Sequence, residues 1–157
     1  MNVNKMIDLV GVIEKTNFKN EYSFDKNHNL ILRNCCIDFI DNTFKKFVIL
    51  PFNYISRSDA IMFCNSVKMY ERTNWRMPTR DELKMFLHSL AYNDNLIEAI
   101  RHFSYLPWTS SIRLNKNNDY ICESVIWIDE NDNIKIDYRD FSFDEDTVCS
   151  LIMVCEE

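Results

Sequence analysis

Only one glycine, Gly11, occurs in the 157 residues. Phosphate-cradling loops and dinucleotide-binding turns need several glycines, because the backbone must approach the ligand closely. Neither device fits this chain, and a Gly-x-Ser-x-Gly nucleophile elbow is excluded for the same reason. Asparagine stands in at turns, since it tolerates the left-handed backbone region better than most residues. Long apolar runs are lacking too. No stretch approaches the length of a membrane-spanning helix, so no membrane partner is expected. The apolar segment 6–13 is short and carries Asp8, which does not fit a signal peptide. A cytoplasmic location is the resulting expectation, with association to a virion as the variant if the chain is phage-encoded.

An excess of basic charge is also missing, the formal net charge being −6. Proteins that hold nucleic acid through its phosphates normally present a basic face, so no nucleic-acid partner is expected. The acidity is uneven. Segment 129–146 holds Asp129, Glu130, Asp132, Asp137, Asp140, Asp144, Glu145 and Asp146 against Lys135 and Arg139. Apolar residues nevertheless make up 46% of the chain and aromatics 13%, enough for one domain with a real core, spanning residues 1–157. The six cysteines are Cys35, Cys36, Cys64, Cys122, Cys149 and Cys155. Without a secretion signal they read as reduced, mostly buried thiols.

The order of elements is strands, then helices, then strands, which is an α+β pattern. Tyr22 and Phe24 alternate with polar residues, segment 30–32 follows a turn at 25–29, Ile37 and Phe39 alternate again, and 44–50 closes the group before Pro51. Ser58 is placed to cap a first helix with Ala60, Phe63, Cys64 and Val67 on one face. Thr79 followed by Glu82 spells a capping box for a second helix, whose buried stripe is Leu83, Phe86, Leu87 and Leu90. Arg80, Lys84 and Glu98 are expected to be exposed. A third short helix is predicted over 95–102. The late strands are predicted at 105–111, 122–128, 134–138 and 151–155, with a hairpin turn at 130–133.

The block Asn74-Trp75-Arg76-Met77-Pro78-Thr79-Arg80-Asp81-Glu82-Leu83 resembles the W-R-L-P-T-x-x-E-L signature of short C-type-lectin-like domains. These group around the formylglycine-generating-enzyme (sulfatase-modifying factor) fold, and the subset that is most similar is the family named for the C-terminal domain of a Legionella collagen-like adhesin. Three further pieces fall in that family's order: Ala60-x-x-x-Cys64, Pro107-Trp108-Thr109-Ser110-Ser111, and Val125-Ile126-Trp127-Ile128 followed by 151–155. The resemblance covers roughly 35–155, with 1–34 as N-terminal strands. It implies a C-type-lectin-like fold of antiparallel strands with two to three helices. Trp75, Trp108 and Trp127 are then core plugs, Arg76 a fork for a carboxylate or carbonyls, and Pro78, Thr79 and Glu82 the entry and cap of the second helix. It also implies that Cys64 could pair with Cys149 or Cys155 in a secreted relative, where cytosolic residence leaves thiols. The chain departs from the family in carrying asparagines where members often have glycine.

Chemistry finds little footing. His28, His88 and His102 show no ligand spacing, and no Cys-x-x-Cys exists for zinc. Asp129, Asn131 and Asn133 begin like a calcium loop, but Ile134 stands where that loop needs glycine. No catalytic residue, metal or cofactor is assigned. The expected function is a non-catalytic binding module for a protein partner, in a bacterial or phage setting. The alternative is a cysteine-dependent oxidase of the formylglycine-generating type, with Cys149 and Cys155 as its pair. Segment 113–120 shows no period and reads as a loop, and 138–143 reads as part of the same recognition region. The expected contact residues are Arg113, Asn117, Tyr120, Tyr138 and Arg139. With the acidic segment beside them, a partner with a basic face is expected.

Overall fold

Residues 151–155 are apolar without alternation, a pattern that a strand shows only when both of its faces are covered. The computed structural model has that arrangement. It describes residues 21–24, 26, 30–33, 37–40, 45–49, 55–68, 72–90, 106–130 and 133–156. Strand β11 (Ile152–Glu156) pairs antiparallel with β4 (Lys45–Ile49), which pairs antiparallel with β3 (Ile37–Ile40). Met153 and Cys155 point into one apolar cluster, and Ile152 and Val154 into another on the opposite face. Val48 and Phe47 split in the same way on β4.

One helix seals each face. Helix α1 (Arg57–Ser66) buries Ala60, Phe63 and Cys64 in the first cluster, together with Val67 just past its end. Helix α2 (Arg80–Leu90) buries Leu83, Phe86 and Leu87 in the second. There the Phe86 ring stacks on Phe47 with centroids 4.5 Å apart and planes 4° from parallel. Fully burying side chains of this size contributes about 1.5–3 kcal/mol each. The helical stripes read from sequence are therefore the faces that pack.

The caps divide. Thr79 Oγ1 accepts the Glu82 N–H at 3.2 Å, and Glu82 Oε1 accepts the Thr79 N–H at 2.9 Å, so the predicted capping box forms. The first helix corrects its expectation. Ser58 is exposed and already inside the helix, whereas Ser56 Oγ accepts the Asp59 N–H at 3.2 Å and caps it. The sequence Ser56-Arg57-Ser58-Asp59 offers two serines, and only Ser56 has the extended backbone that a cap requires.

Smaller pairings tie on the remaining strands. β1 (Glu21–Phe24) pairs antiparallel with β2 (Leu30–Arg33), and β2 runs parallel to β6 (Val67–Lys68). β5 (Ile55–Ser56) pairs antiparallel with β10 (Val148–Cys149). The remaining sheet is a meander of β7 (Ile112–Leu114), β8 (Tyr120–Glu130) and β9 (Asn133–Ser142) in the order β7-β8-β9. Strands dominate, two helices lie among the described residues, and most pairing is antiparallel, as an α+β reading requires. The predicted helix over 95–102, Glu98, Cys35, Cys36 and the side chain of Leu90 lie outside what is described.

Of the segment predicted as a strand at 105–111, residues 106–111 are described and form no strand. They make an extended tie with a single bridge, Pro107 to Ser150. Its polar groups are used across the fold: Trp108 N donates to Ser150 O, Trp108 Nε1 to Ile55 O at 2.7 Å, Ser124 Oγ to Pro107 O, and Thr109 Oγ1 to Glu123 O. Trp108 is fully buried and joins β5 to Ser150, while its neighbours Pro107 and Thr109 tie the segment to the meander through Ser124 and Glu123. Proline has no N–H to give to a ladder, and the stretch around it anchors through separate backbone and side-chain bonds to several elements.

Candidate binding surface

The residues singled out for recognition lie on a sheet, and only one sits in a loop. Arg113 is the middle residue of β7, Tyr120 opens β8, and Tyr138 and Arg139 are consecutive on β9. The loop expected over 113–120 shrinks to 115–119. Asn117 lies there, its N–H held at 2.9 Å by Asn115 Oδ1, which also accepts the Asp119 N–H. Asn118 takes a φ of 62°, so asparagine does in this turn what glycine usually does. A three-residue strand carrying an arginine between two apolar residues is too short to show a period, which is why the strand escaped the sequence reading.

Consecutive strand residues point to opposite faces, so the five candidates do not form one cluster. Register places Arg113 opposite Ile121 and Tyr138 opposite Val125, on the face that α2 covers. Register places Tyr120 opposite Leu114 and Arg139 opposite Ser124, on the other face.

The face toward α2 is a closed charge network. Arg80 reaches Asp140 at 3.1 Å and Glu123 at 3.4 Å, and Arg113 reaches Asp140 at 3.1 Å and Glu123 at 3.8 Å. The Tyr138 ring lies 4.7 Å from the Arg80 guanidinium carbon and 4.5 Å from Lys84 Nζ, and Lys84 donates to the Tyr138 hydroxyl. Arg80 and Lys84 were expected to be exposed. Both are half-buried, because the meander lies against α2 and takes up their charges. The acidic segment is engaged elsewhere as well. Asp144 Oδ1 accepts the N–H groups of Asp146 and Thr147, and Asp137 pairs with Lys135.

The opposite face carries exposed apolar groups at its β7 end. Ile112 lies across from Cys122 and Leu114 across from Tyr120. Ile112, Leu114 and Tyr120 are 45%, 55% and 54% exposed. Phe143 packs its ring 5.9 Å from that of Tyr120 and edge-on to Trp108 at 5.4 Å. Arg57, from the start of α1, lays its guanidinium over both Phe143 and Trp108 and donates to Thr109 O at 2.8 Å. Ile112, Leu114, Phe143 and Arg57 are not singled out by the sequence, although Leu114 and Phe143 fall inside the recognition segments 113–120 and 138–143. The apolar pair at 112 and 114 was the available signal for the first two. No family model, curated protein or solved structure matches the chain.

The motif residues act structurally. Trp75 is buried with Nε1 donating to Arg72 O at 3.1 Å, and Trp127 is partly buried at the border of the second cluster. Arg76 exchanges backbone hydrogen bonds with Val154 and forks onto Glu82 with bonds of 2.7 and 2.8 Å. Lys45 joins Glu82 at 2.9 Å, and Glu156 joins Arg76 at 3.1 Å. Pro78 O accepts the Ser110 N–H, tying the entry of α2 to the extended segment. Burial opposes the Glu82 charge. The forked bonds from Arg76, the Thr79 N–H and Lys45 outweigh it and hold the carboxyl near 2, against an ordinary 4.5.

Two of the thiols, Cys64 and Cys149, offer little nucleophilic chemistry. Cys64, Cys122 and Cys149 are free, and these three and Cys155 are buried. Burial, and secondarily the nearby Cys122, pushes the Cys149 thiol up to about 12 despite Arg57. Burial pushes Cys64 to about 12 as well. Thiolate is the reactive form, so both are poor nucleophiles at neutral pH. Among the described residues no group of three or more His, Cys, Asp or Glu is placed to hold a metal ion. Nor is any helix among them long and apolar enough to cross a membrane.

Proposed function

We propose that the chain is a non-catalytic binding module of C-type-lectin-like fold, bacterial or phage-encoded, that recognises a protein partner. The observation that carries this reading is the exposed apolar face of β7 and β8, where Ile112, Leu114 and Tyr120 stand together. Single exposed apolar residues are ordinary on a protein surface, but a contiguous group beside aromatic and arginine side chains has the composition of a protein interface. The net charge of −6 disfavours nucleic acid and anionic membrane as partners. The lectin-like assignment is supported by the tryptophan-arginine-proline-threonine block, which acts as the sequence motif implies: a buried Trp75, a forked Arg76 and a capping box at Thr79. The buried thiol of Cys149, raised to about 12, favours binding over the cysteine-dependent oxidase.

The test is parallel affinity capture from host lysate with the wild-type chain and with Leu114→Asp, read by quantitative mass spectrometry. Leu114 is 55% exposed, so the substitution leaves the core intact. A protein held by the wild type and lost with Leu114→Asp supports the reading. Capture that Leu114→Asp leaves unchanged counts against this surface.

A further inference from the structure

The exposed apolar face of β7 and β8 also carries positive charge without acidic partners. Arg57 reaches it through Nη1, which lies 4.0 Å from Cys122 Sγ, directly beside Ile112 in the register. Arg139 shares the face through its pairing with Ser124. Arg76, Arg80, Arg113, Lys45 and Lys135 all form ion pairs. Among the described residues Arg57 and Arg139 form none. Arg57 is moreover the first residue of α1, where the helix dipole adds to its charge instead of offsetting it. Two aromatic rings and the Thr109 carbonyl hold it, and neither neutralises it.

The backbone of β7 adds a direction. Glu123 N donates to Ser111 O and Asn115 N to Asp119 O, so alternate residues 111, 113 and 115 face β8. The N–H and C=O groups of Ile112 and Leu114 therefore point out of the sheet edge, where an extended chain can add its own hydrogen bonds.

We propose that this face takes an extended, acidic and apolar segment of a protein partner. Its apolar side chains pack on Ile112, Leu114 and Tyr120, and a carboxylate seats on Arg57 with Arg139 at the rim. The proposal rests on the binding-module reading and fixes the chemistry of the partner. Charge complementarity selects this occupant. The acidic segment 129–146 pointed to a basic partner, but Asp137 and Asp140 are ion-paired within the chain, Asp144 is taken up by the Asp146 and Thr147 N–H groups, and the two charged side chains placed on this face without an ion pair among the described residues, Arg57 and Arg139, are positive. A second copy is a poorer fit, because each chain carries −6 and a three-residue edge is short against the roughly 1,200 Å² that stable interfaces bury.

The test is selection of a random-peptide phage library on the full chain, followed by titration of a synthesised selected peptide. Selected peptides should be enriched in Asp and Glu between apolar residues. Replacing the peptide's carboxylates by amides should weaken binding about tenfold or more, a test that leaves the protein untouched. Arg57→Gln should weaken it similarly and Arg57→Lys less, with melting curves confirming that both variants fold. Peptides that lack acidic enrichment, or that bind equally after amide replacement, overturn this proposal. If such peptides still lose affinity with Leu114→Asp, the binding surface itself stands. If no peptide is selected, or if affinity is indifferent to both Leu114→Asp and Arg57→Gln, the proposal and the surface fail together.

Discussion

Replacing Glu82 by Gln removes the charge that joins α2 to β4 and to the Trp75–Met77 segment while keeping the side chain's shape. Both carboxylate oxygens are engaged, by Arg76 at 2.7 and 2.8 Å, by the Thr79 N–H at 2.9 Å and by Lys45 at 2.9 Å. The side chain is 10% exposed, so solvent screens these bonds little. A carboxyl held near 2 instead of 4.5 stabilises the fold by about 3 kcal/mol, at about 1.4 kcal/mol per tenfold in proton affinity. The folded value is depressed. The stabilisation is therefore complete above the unfolded value near 4.5 and is lost as pH falls from there through 2. Urea unfolding of both proteins between pH 7 and pH 2 measures this. At pH 7 Glu82→Gln should be less stable by about 3 kcal/mol, and the difference should shrink steadily below about pH 4.5. Equal stability at pH 7, or a difference that does not change with pH, would refute the reasoning.

Other substitutions check the remaining contacts. Thr79→Ala should cost about 0.5–2 kcal/mol and Thr79→Ser much less, because only the hydroxyl caps α2, and thermal melting of the three proteins resolves this. Trp75→Ala should cost about 3–5 kcal/mol for a side chain 3% exposed, and an unchanged melting temperature would remove Trp75 from the core. Trp108→Phe should cost about 1–3 kcal/mol in urea unfolding, because Ile55 O loses its buried donor. Cys64 and Cys149 should resist iodoacetamide at pH 8 in the native protein and react once it is unfolded, as mass spectrometry of peptides will report.

The core was legible in the sequence where periodicity and caps agree. Phe63 and Cys64, and Leu83, Phe86 and Leu87, recur at helical spacing and pack as that spacing requires. The Thr79–Glu82 box was legible because two side chains satisfy two backbone N–H groups at a fixed offset. Tie segments and short strands were not legible. Trp108 and Ser124 hold their positions through bonds to residues far along the chain, which no local pattern records. The candidate surface was half legible. Tyr120 was named for its chemistry and sits on the exposed apolar face. Arg113 and Tyr138 carry the same chemistry, yet the register turns both toward α2, where they are occupied by Asp140, Glu123, Arg80 and Lys84. Arg57 was passed over because a residue at the start of a helix gives no sign of the distant strand that it touches.

Hydrogen exchange of the chain, alone and saturated with a captured partner, tests the central claim most directly. Binding at the β7 edge should slow exchange at the Ile112 and Leu114 amides, which face away from β8, while the buried α2 amides of Phe86 and Leu87 stay unchanged. Protection confined to other elements, with the Ile112 and Leu114 amides exchanging as in the free chain, would contradict the account.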